Sequence, residues 1–277
     1  MHTWHWQTWE EMSYLTCSLL KAWPHGFFTQ HFWPRSPEEL TMVLHPDASG
    51  YRLKQVHGNT VLTPSEIATQ LLSTDDRVDQ EDNCVLASAD GLVSEQPLQA
   101  LWVASADCTP VLIADENTLQ VAAVHAGWRG TAAKIVPQAI ARLQAQGSKI
   151  EDLRIAMGPA IAGEVYQVST QVAAQLGITI IPHPDENTIV EALYELPNSP
   201  LFPDPNPGKV RLDVRRINFL QMEKLGISPE QIAIAPYCTY QTPEHFFSYR
   251  RDKQKKVQWS GIVSRQGIGD RGLGIGD

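Results

Sequence analysis

Short apolar runs alternate with helix-type spacings along the central part of the chain. Runs rich in Val, Ile, Leu or Ala predict strands at Leu98–Ser105, Pro110–Ala114, Leu119–His125, Leu153–Met157 and Gln231–Ala235. A helical spacing over Ala132–Gln146 predicts a helix capped by Thr131 and ended by Gly147. A second helix is predicted over Val214–Leu225, ending near Gly226. Because helices and strands are mixed rather than strictly alternating, we expect an α+β fold with mixed sheets.

Three segments lie outside this pattern. Residues 1–24 contain four tryptophans and predict an N-terminal aromatic-rich extension that packs on the body. Residues 182–210 are rich in proline and predict a long irregular insertion loop. Residues 266–277 are glycine-rich without apolar periodicity and predict a disordered tail. With no internal repeat visible, residues 25–265 are expected to form a single domain.

Composition and charge narrow the class of protein. A chain of 277 residues with 43% hydrophobic residues is long enough to bury a core. Its net charge of −9 argues against extended nucleic-acid binding, which requires many cations on phosphates. No apolar run is long enough to span a bilayer, and the start MHTWHWQTWEEM lacks a basic segment followed by an apolar one. We therefore expect a cytoplasmic protein with free thiols and no membrane partner.

Three segments place metal-type ligands at the edges of predicted strands. They are KQVHG with His57, ADCTP with Cys108, and VHAGWRGT with His125. Two imidazoles and one thiolate form a suitable set for catalytic Zn²⁺, which keeps a fourth position open for water or substrate. The spacing alone leaves other interpretations open. The two histidines are also compatible with hydrogen-bonded loop positions, with Cys108 as a small core residue. A third interpretation makes Cys108 a nucleophile that uses His125 as its base.

The turn Gly127–Thr131 lies between a predicted strand and a predicted helix. Its glycines expose backbone N–H groups, and Arg129 is able to bind phosphate through two parallel hydrogen bonds. Gly127, Trp128, Gly130 and Thr131 are therefore candidate substrate-binding residues, with Arg129 as a candidate catalytic residue. A plain tight turn with a surface arginine is the alternative.

Aromatic residues and cations combine near the C-terminal end. The segments Cys238–Tyr240 and Phe246–Asp252 are candidates for a base-binding pocket, with Ser248 and Arg250 as substrate-binding residues. An aromatic strand followed by a solvated charge cluster is the alternative.

The order of the motifs carries a family resemblance over residues 25–264. The motifs are KQVHG, SADG, ADCTPVLIAD, VAAVHAGWRGTA, GPAI, VYQV, PYCTY and FFSYRRD. Together they resemble the laccase-domain (polyphenol oxidase, YfiH-like) family, of the purine nucleoside phosphorylase type. The resemblance implies an α/β/β/α layered fold and a metal site at His57, Cys108 and His125. It also implies phosphorolysis of adenosine, inosine, guanosine or methylthioadenosine, together with adenosine deamination.

The leading hypothesis joins these observations. Zn²⁺ held by His57, Cys108 and His125 lies beside a bound purine nucleoside, while Arg129 and its turn position phosphate against the ribose C1′ carbon. Two departures from the family pattern bear on it. Gln30 stands where relatives often have an arginine, so Arg35 or Arg52 is needed as a substitute if that cation binds phosphate. The segment from Gly158 to Val168 also lacks the cysteines of the family pattern.

Three other functions compete with this hypothesis. The family name suggests copper-dependent oxidation of phenols with Cu²⁺ as the metal, although none of the nine histidines forms an HxH pair. A second alternative is Cys108-dependent amide hydrolysis that edits cell-wall precursors. A third is a zinc-stabilised binding module without catalysis.

Overall fold

The computed structural model describes residues 2–73 and 86–266. Its strands, in chain order, are β1 (Trp4–Trp9), β2 (Met12–Cys17), β3 (His25–Phe28), β4 (Ser49–Tyr51), β5 (Val61–Leu62), β6 (Gly91–Val93), β7 (Gln99–Ser105), β8 (Thr109–Asp115), β9 (Val121–Ala126), β10 (Leu153–Met157), β11 (Gln167–Ser169), β12 (Leu201–Pro203), β13 (Lys209–Leu212), β14 (Ile232–Ile234) and β15 (Gln258–Val263). The α-helices are α1 (Pro37–Leu44), α2 (Pro64–Ser73), α3 (Trp128–Ala132), α4 (Ile135–Ala145), α5 (Thr170–Gly177), α6 (Glu186–Tyr194), α7 (Val214–Lys224) and α8 (Tyr249–Asp252). The predicted tail lies outside the described residues from position 267 onward.

Two six-stranded mixed sheets form the centre of the protein. The first sheet has the order β1-β2-β3-β15-β7-β4, and the second has the order β14-β10-β8-β9-β6-β5. Most neighbouring strands are antiparallel, whereas the pairs β4–β7, β5–β6 and β10–β14 are parallel. This arrangement confirms the predicted mixed sheets.

The two sheets pack face to face because apolar residues occupy both faces of their strands. Successive residues of a strand point to opposite faces. In β3, Phe27 belongs to the core between the sheets, while Phe28 packs on the outer side of the first sheet. In β8, Leu112 belongs to the inner core and Val111 to the outer one. Each sheet therefore carries an apolar face toward the other and another toward helices.

Helices cover both outer faces and complete an α/β/β/α fold. Leu40 of α1 packs with Trp102 on the first sheet, and Met222 of α7 packs with Ile140 of α4 on the second. Helix α1 is set by a capping box in which Ser36 accepts from the backbone of Glu39 while the Glu39 side chain accepts from the backbone of Ser36. The four-layer fold is confirmed.

The tryptophan-rich N-terminal segment supplies strands to the first sheet. All six residues of β1 pair with β2, which in turn pairs with β3. Trp6 donates a hydrogen bond to the hydroxyl of Tyr237 at 2.9 Å, and Trp4 packs against Phe27. The division of the chain into an extension, a domain and a tail stays a prediction.

The proline-rich segment 182–210 is more regular than its sequence predicts. It contains α6, β12 and the start of β13, and the order β11-β13-β12 forms a third sheet. Ile189 and Leu193 of α6 pack with Leu212 and Ala173 in a separate apolar cluster. The prediction of an irregular loop was wrong because a short amphipathic helix and two short strands fit between the prolines.

The helix predicted over Ala132–Gln146 is interrupted. Helix α3 ends at Ala132, and α4 begins after Lys134, whose φ of 59° lies in the left-handed region. Thr131 lies inside α3 rather than at a cap. The predicted end is confirmed, since Gly147 follows α4 with a φ of 103°.

The other predicted elements are present with boundary shifts of one or two residues. The five predicted strands correspond to β7, β8, β9, β10 and β14. Helix α7 starts after Asp213, whose carboxylate accepts from the backbone N–H groups of Arg215 and Arg216, and it ends before Gly226. Within residues 2–73 and 86–266, no helix is long and apolar enough to cross a membrane.

Candidate metal centre and substrate cavity

The fold brings the three predicted metal ligands together from three separate segments. His57 lies in the connection between β4 and β5, Cys108 immediately precedes β8, and His125 belongs to β9 opposite Pro110. One nitrogen of each imidazole and the Cys108 Sγ all lie within 4.8 Å of one another. The two imidazole rings meet edge to face, with centroids 4.9 Å apart. Among the described residues, His57, Cys108 and His125 are the group whose donor atoms lie close enough together to hold one metal ion.

The buried carboxylate of Asp90 fixes two of these ligands. Its oxygens accept hydrogen bonds from the backbone N–H groups of Val56 at 3.1 Å, His57 at 2.9 Å and Gly58 at 2.7 Å. Its Oδ1 also lies 2.9 Å from Nδ1 of His125. Because Nδ1 is engaged by Asp90, Nε2 of His125 is the ring nitrogen left to act as the ligand atom.

The cluster is electrostatically coupled. Burial raises the pKa of the Cys108 thiol, but the charges and hydrogen bonds of His125 and His57 outweigh burial and bring this pKa down to about 6. Burial lowers the pKa of His125, whereas Cys108 and Asp90 raise it, to about 9. For Asp90, burial raises the pKa, and the hydrogen bonds from His125 and Gly58 bring it below its usual value. The thiol is therefore in the state that binds metal ions, whereas His125 carries a second proton that a bound metal ion would displace.

Gly127 leaves the space beside the three donor atoms open. A Cβ at this position would lie 2.9 Å from the Cys108 Sγ, 3.4 Å from Cδ2 of His57 and 3.7 Å from Cε1 of His125. A side chain would therefore press directly on the cluster. Two imidazoles, an ionised thiol and an open side fit a catalytic zinc site, in which three protein ligands leave a position for water or substrate.

The cluster lies in the wall of a cavity of about 660 Å³. This volume falls within the range of small-molecule sites, about 300–1,000 Å³. Aromatic and cationic side chains share the lining with the metal-type ligands; they include Trp128, Arg129, Tyr166, Tyr249, Arg250 and Lys253. The cavity can therefore stack a planar base and hold an anion beside the cluster.

Both cavity arginines lie against aromatic rings. The guanidinium of Arg129 lies 4.5 Å from the ring centre of Trp128, and that of Arg250 lies 4.9 Å from the ring centre of Tyr166. Arg250 also donates to the backbone oxygen of Gln167 at 3.1 Å. Burial, followed by the negative charge at Cys108, raises the pKa of Tyr166 to about 12, so its hydroxyl stays protonated and able to donate.

Asp107, next to Cys108, holds the cavity wall together. Its φ of 92° lies in the left-handed region. One carboxylate oxygen accepts from the Thr239 hydroxyl at 2.7 Å, and the other accepts from the backbone N–H of Arg250 at 2.7 Å. The carboxylate thus connects the start of β8 to α8. These contacts explain why the strained backbone conformation of Asp107 is maintained.

Four of the six predicted substrate-binding residues lie outside the cavity lining, and one of them, Gly127, is the glycine beside the three donor atoms. The other three are Gly130, Thr131 and Ser248. A Cβ on Gly130 would lie 2.8 Å from the backbone oxygen of Gly58, so this glycine permits close packing of two backbones. Thr131 is fully buried, and its hydroxyl is hydrogen-bonded to Asn218. Ser248 is 1% exposed and caps α8 by accepting from the backbone of Arg251. Their side chains serve the structure around the site.

The arginine missing from position 30 is not replaced by either predicted substitute. The Gln30 side chain donates to the backbone oxygen of Pro243 at 2.6 Å. Arg35 pairs with Glu10, and Arg52 pairs with Glu38. The cavity lining includes neither arginine, so its cations are Arg129, Arg250 and nearby lysines.

Two functional features escaped the sequence reasoning. Asp90 lies in the SADG motif, which the sequence connects only with a family pattern, because the role of Asp90 in orienting His125 depends on a three-dimensional contact. Tyr166 lies in VYQV and offers no signal of its own before the fold places it under Arg250.

The four-layer fold and the His–Cys–His cluster in its cavity define the class of protein, one with a three-ligand metal-type site beside a small-molecule cavity. The chain belongs to the family described as multi-copper polyphenol oxidoreductase laccase, whose model matches residues 38–265. The resemblance drawn from the motifs is thereby confirmed.

Individual relatives agree with this family. The chain is 51% identical over 264 residues to a protein of Synechocystis sp. named purine nucleoside phosphorylase, with 94% of this chain and 97% of that protein covered. It is 28% identical over 171 residues to adenosine deaminase RL5 from an unknown prokaryotic organism, covering 62% of this chain and 60% of that protein. The structure of YlmD from Geobacillus stearothermophilus has a TM-score of 0.75 at 24% identity, covering 94% of this chain and 99% of that chain, which shows a shared fold.

Proposed function

We propose that the protein is a zinc-dependent purine nucleoside phosphorylase that also deaminates adenosine. The observation that carries this proposal is the convergence of His57, Cys108 and His125 within 4.8 Å in the wall of a cavity lined by aromatic rings and cations. The names of the relatives supply the substrate class, purine nucleosides with phosphate. A cytoplasmic location is part of the proposal and rests on the sequence.

The cavity side chains have separate tasks in phosphorolysis. Arg129 and Arg250 bind phosphate and hold one of its oxygens toward the ribose C1′ carbon. The bond from C1′ to phosphate oxygen forms as the bond from C1′ to the purine nitrogen N9 breaks, and the purine takes up a proton as it leaves. Tyr166 and Trp128 present aromatic surface for orienting the nucleoside.

The ligand residues provide the second part of the chemistry. A zinc ion held by His57, Cys108 and His125 would supply Lewis acidity, which suits a leaving purine or an attacking water. Asp90 keeps the Nδ1 proton on His125, so that Nε2 points at the cluster. Deamination replaces the 6-amino group of adenosine with oxygen from water and releases ammonia, and it needs no phosphate.

A product assay tests both activities. Protein of measured zinc content is incubated with adenosine, with and without phosphate. We expect adenine and ribose 1-phosphate only with phosphate, and inosine with ammonia in either case. Removing the metal should abolish both, and zinc should restore them. Cys108→Ala should lose activity, while Cys17→Ala, which removes a buried thiol outside the cavity, should keep it. Formation of neither product by the zinc-loaded protein would refute the proposal.

Two alternatives give different results in the same assay series. Copper-dependent phenol oxidation, which the family description suggests, predicts oxygen uptake in proportion to copper content. A Cys108 hydrolase is favoured by one specific arrangement, the line of Cys108, His125 and Asp90, because a nucleophile, a base and an orienting carboxylate form such lines. That enzyme would cleave an amide of a cell-wall precursor and remain active in the presence of a chelator.

A further inference from the structure

Three lysines line the outer part of the cavity. Lys253, Lys255 and Lys256 are exposed cavity-lining residues in the connection between α8 and β15, and we call them the lysine rim. Lys253 ends α8 with a left-handed φ of 56°. After the turn at Lys253, residues 254–257 continue along the edge of the cavity and also line it.

Two of the three lysines in the rim, Lys253 and Lys256, lie against aromatic rings. The Lys253 ammonium lies 5.6 Å from the ring centre of Tyr249, and the Lys256 ammonium lies 5.8 Å from that of Phe247. Among the described residues, no carboxylate forms a salt bridge with the rim. The neighbouring carboxylate of Asp252 pairs with Arg251 instead. The aromatic faces keep the ammonium groups near the cavity without neutralising them.

This concentration of positive charge contrasts with the rest of the chain. Residues 249–258 contain five cations and one carboxylate, in a protein whose net charge is −9. The inner cations Arg129 and Arg250 are also without salt bridges in the described part of the chain, and the cavity carboxylate of Asp107 is engaged by Thr239 and by a backbone N–H. A concave wall focuses such a field on whatever enters. A neutral nucleoside carries no net charge for this field to attract.

We propose that the lysine rim is a phosphate subsite at the cavity mouth, outside the arginine pair. Ammonium groups bind phosphate as flexible point charges, which suits an exposed entrance, whereas arginines suit the ordered interior. The phosphate comes from one of two sources, inorganic phosphate that enters for phosphorolysis or the 5′-phosphate of a purine nucleotide used as substrate. The use of this subsite in a reaction rests on the proposed function, whereas the binding of phosphate to the lysine rim does not.

The test compares two variants with the same change in net charge. In the rim variant, Lys253, Lys255 and Lys256 are each replaced by Gln. In the control variant, the exposed lysines Lys21, Lys149 and Lys209, which are not part of the cavity lining, are each replaced by Gln. Equilibrium binding of inorganic phosphate and of adenosine 5′-monophosphate is measured for both variants and the wild type at low and high salt.

We expect the rim variant to bind at least one of these anions roughly tenfold more weakly than the control variant, and the difference to shrink at high salt. If phosphate binding falls and the KM for phosphate with adenosine rises, the source is inorganic phosphate. If only the nucleotide is bound more weakly, and its kcat/KM falls while adenosine turnover is unchanged, the source is the 5′-phosphate.

Equal binding of both anions by the rim and control variants would overturn the subsite. Because binding is measured without turnover, this failure differs from a failure of the proposed function. A protein that binds phosphate through the rim but converts no purine nucleoside would keep the subsite and lose the proposed reaction.

Discussion

At the scale of single residues, Asp90 positions two of the three metal-type ligands. One fully buried carboxylate receives three backbone N–H groups from the His57 segment and the Nδ1 proton of His125. It therefore sets the position of one ligand through the backbone and the orientation of another through its ring. Groups that orient metal ligands in this way commonly contribute 10–100-fold to metal affinity or activity.

Asp90→Asn should lower zinc affinity by about 10–100-fold, because an amide has one acceptor oxygen for four donors. Competition with a chromophoric chelator measures the affinity. The matched control is Asp115→Asn, since Asp115 is equally buried but accepts from the backbone N–H groups of Asn117 and Thr118 in a distant turn. Unchanged zinc affinity in Asp90→Asn would contradict the positioning role.

Gly127→Ala should reduce zinc affinity and nucleoside turnover by about 100-fold, because a shift near 1 Å in a reacting group has effects of that size. The added Cβ would lie 2.9 Å from the Cys108 Sγ, and the backbone here is not strained. Gly58→Ala is the control in the same site, since its Cβ meets nothing nearer than 3.6 Å. Zinc titration and steady-state kinetics should separate the two variants; similar behaviour would argue against steric displacement.

The sequence predicted the three ligands but not the residue that positions them. His57, Cys108 and His125 follow from residue types that bind zinc, combined with a family resemblance. Asp90 lies 33 residues from His57 and 35 from His125, and only sheet formation brings the three together. A long-range hydrogen bond of this kind leaves no periodic or compositional signal along the chain.

At the scale of elements, His25 ties the end of β2 to the start of β3. Its Nε2 accepts from the backbone N–H of Cys17 at 2.9 Å, and its Nδ1 lies 2.8 Å from the backbone oxygen of Trp23. This pattern requires a neutral ring. Burial lowers the pKa of His25 below 6.5 and outweighs the hydrogen bond between Nδ1 and the Trp23 carbonyl, which acts in the opposite direction.

Stability should therefore fall on acidification through His25. Below about pH 6.5 the unfolded chain takes up a proton that the folded chain does not, so the contribution is complete above that pH and decreases as pH falls. Urea unfolding between pH 7 and 5 should show up to about 1.4 kcal/mol of loss per pH unit from this group. His25→Gln should flatten the profile, and His31→Gln, at an exposed position, should not. A profile that is unchanged in His25→Gln would count against this account.

The elements that the sequence failed to predict are short or interrupted. The pattern over Ala132–Gln146 is continuous, but Lys134 adopts a left-handed conformation and starts a new helix. Such a break depends on packing against other layers and not on local propensity. The third sheet has strands of three or four residues, too short for alternation to be visible among prolines. Long apolar strands such as β7 and β8 were predictable because burial on both faces requires continuous apolar sequence.

At the scale of the whole molecule, the two large sheets approach closely at Gly158. A Cβ at this position, directly after β10, would lie 2.1 Å from Cδ1 of Phe27 in β3. The residue therefore sets the spacing between layers. The pattern predicted mixed sheets and the resemblance implied four layers, but neither reveals which side chains meet across the layers.

Gly158→Ala should destabilise the protein by about 1–3 kcal/mol through overpacking. Combining it with Phe27→Leu, which makes room, should cost less than the sum of the two single changes, with a coupling of at least about 0.5 kcal/mol. Chemical denaturation of the two single variants and the double variant measures this coupling. Strict additivity would show that the layers do not press on each other at this point.

The backbone of His125 belongs to the sheet as well as to the ligand cluster. Its N–H donates to the backbone oxygen of Asp90 at 2.8 Å, where β9 meets the start of β6. An unfolded chain has no reason to keep His57, Cys108 and His125 near one another, so an ion that binds the cluster selects the folded chain. Folding and chelation then become one linked equilibrium, in which the melting temperature rises with the concentration of free ion.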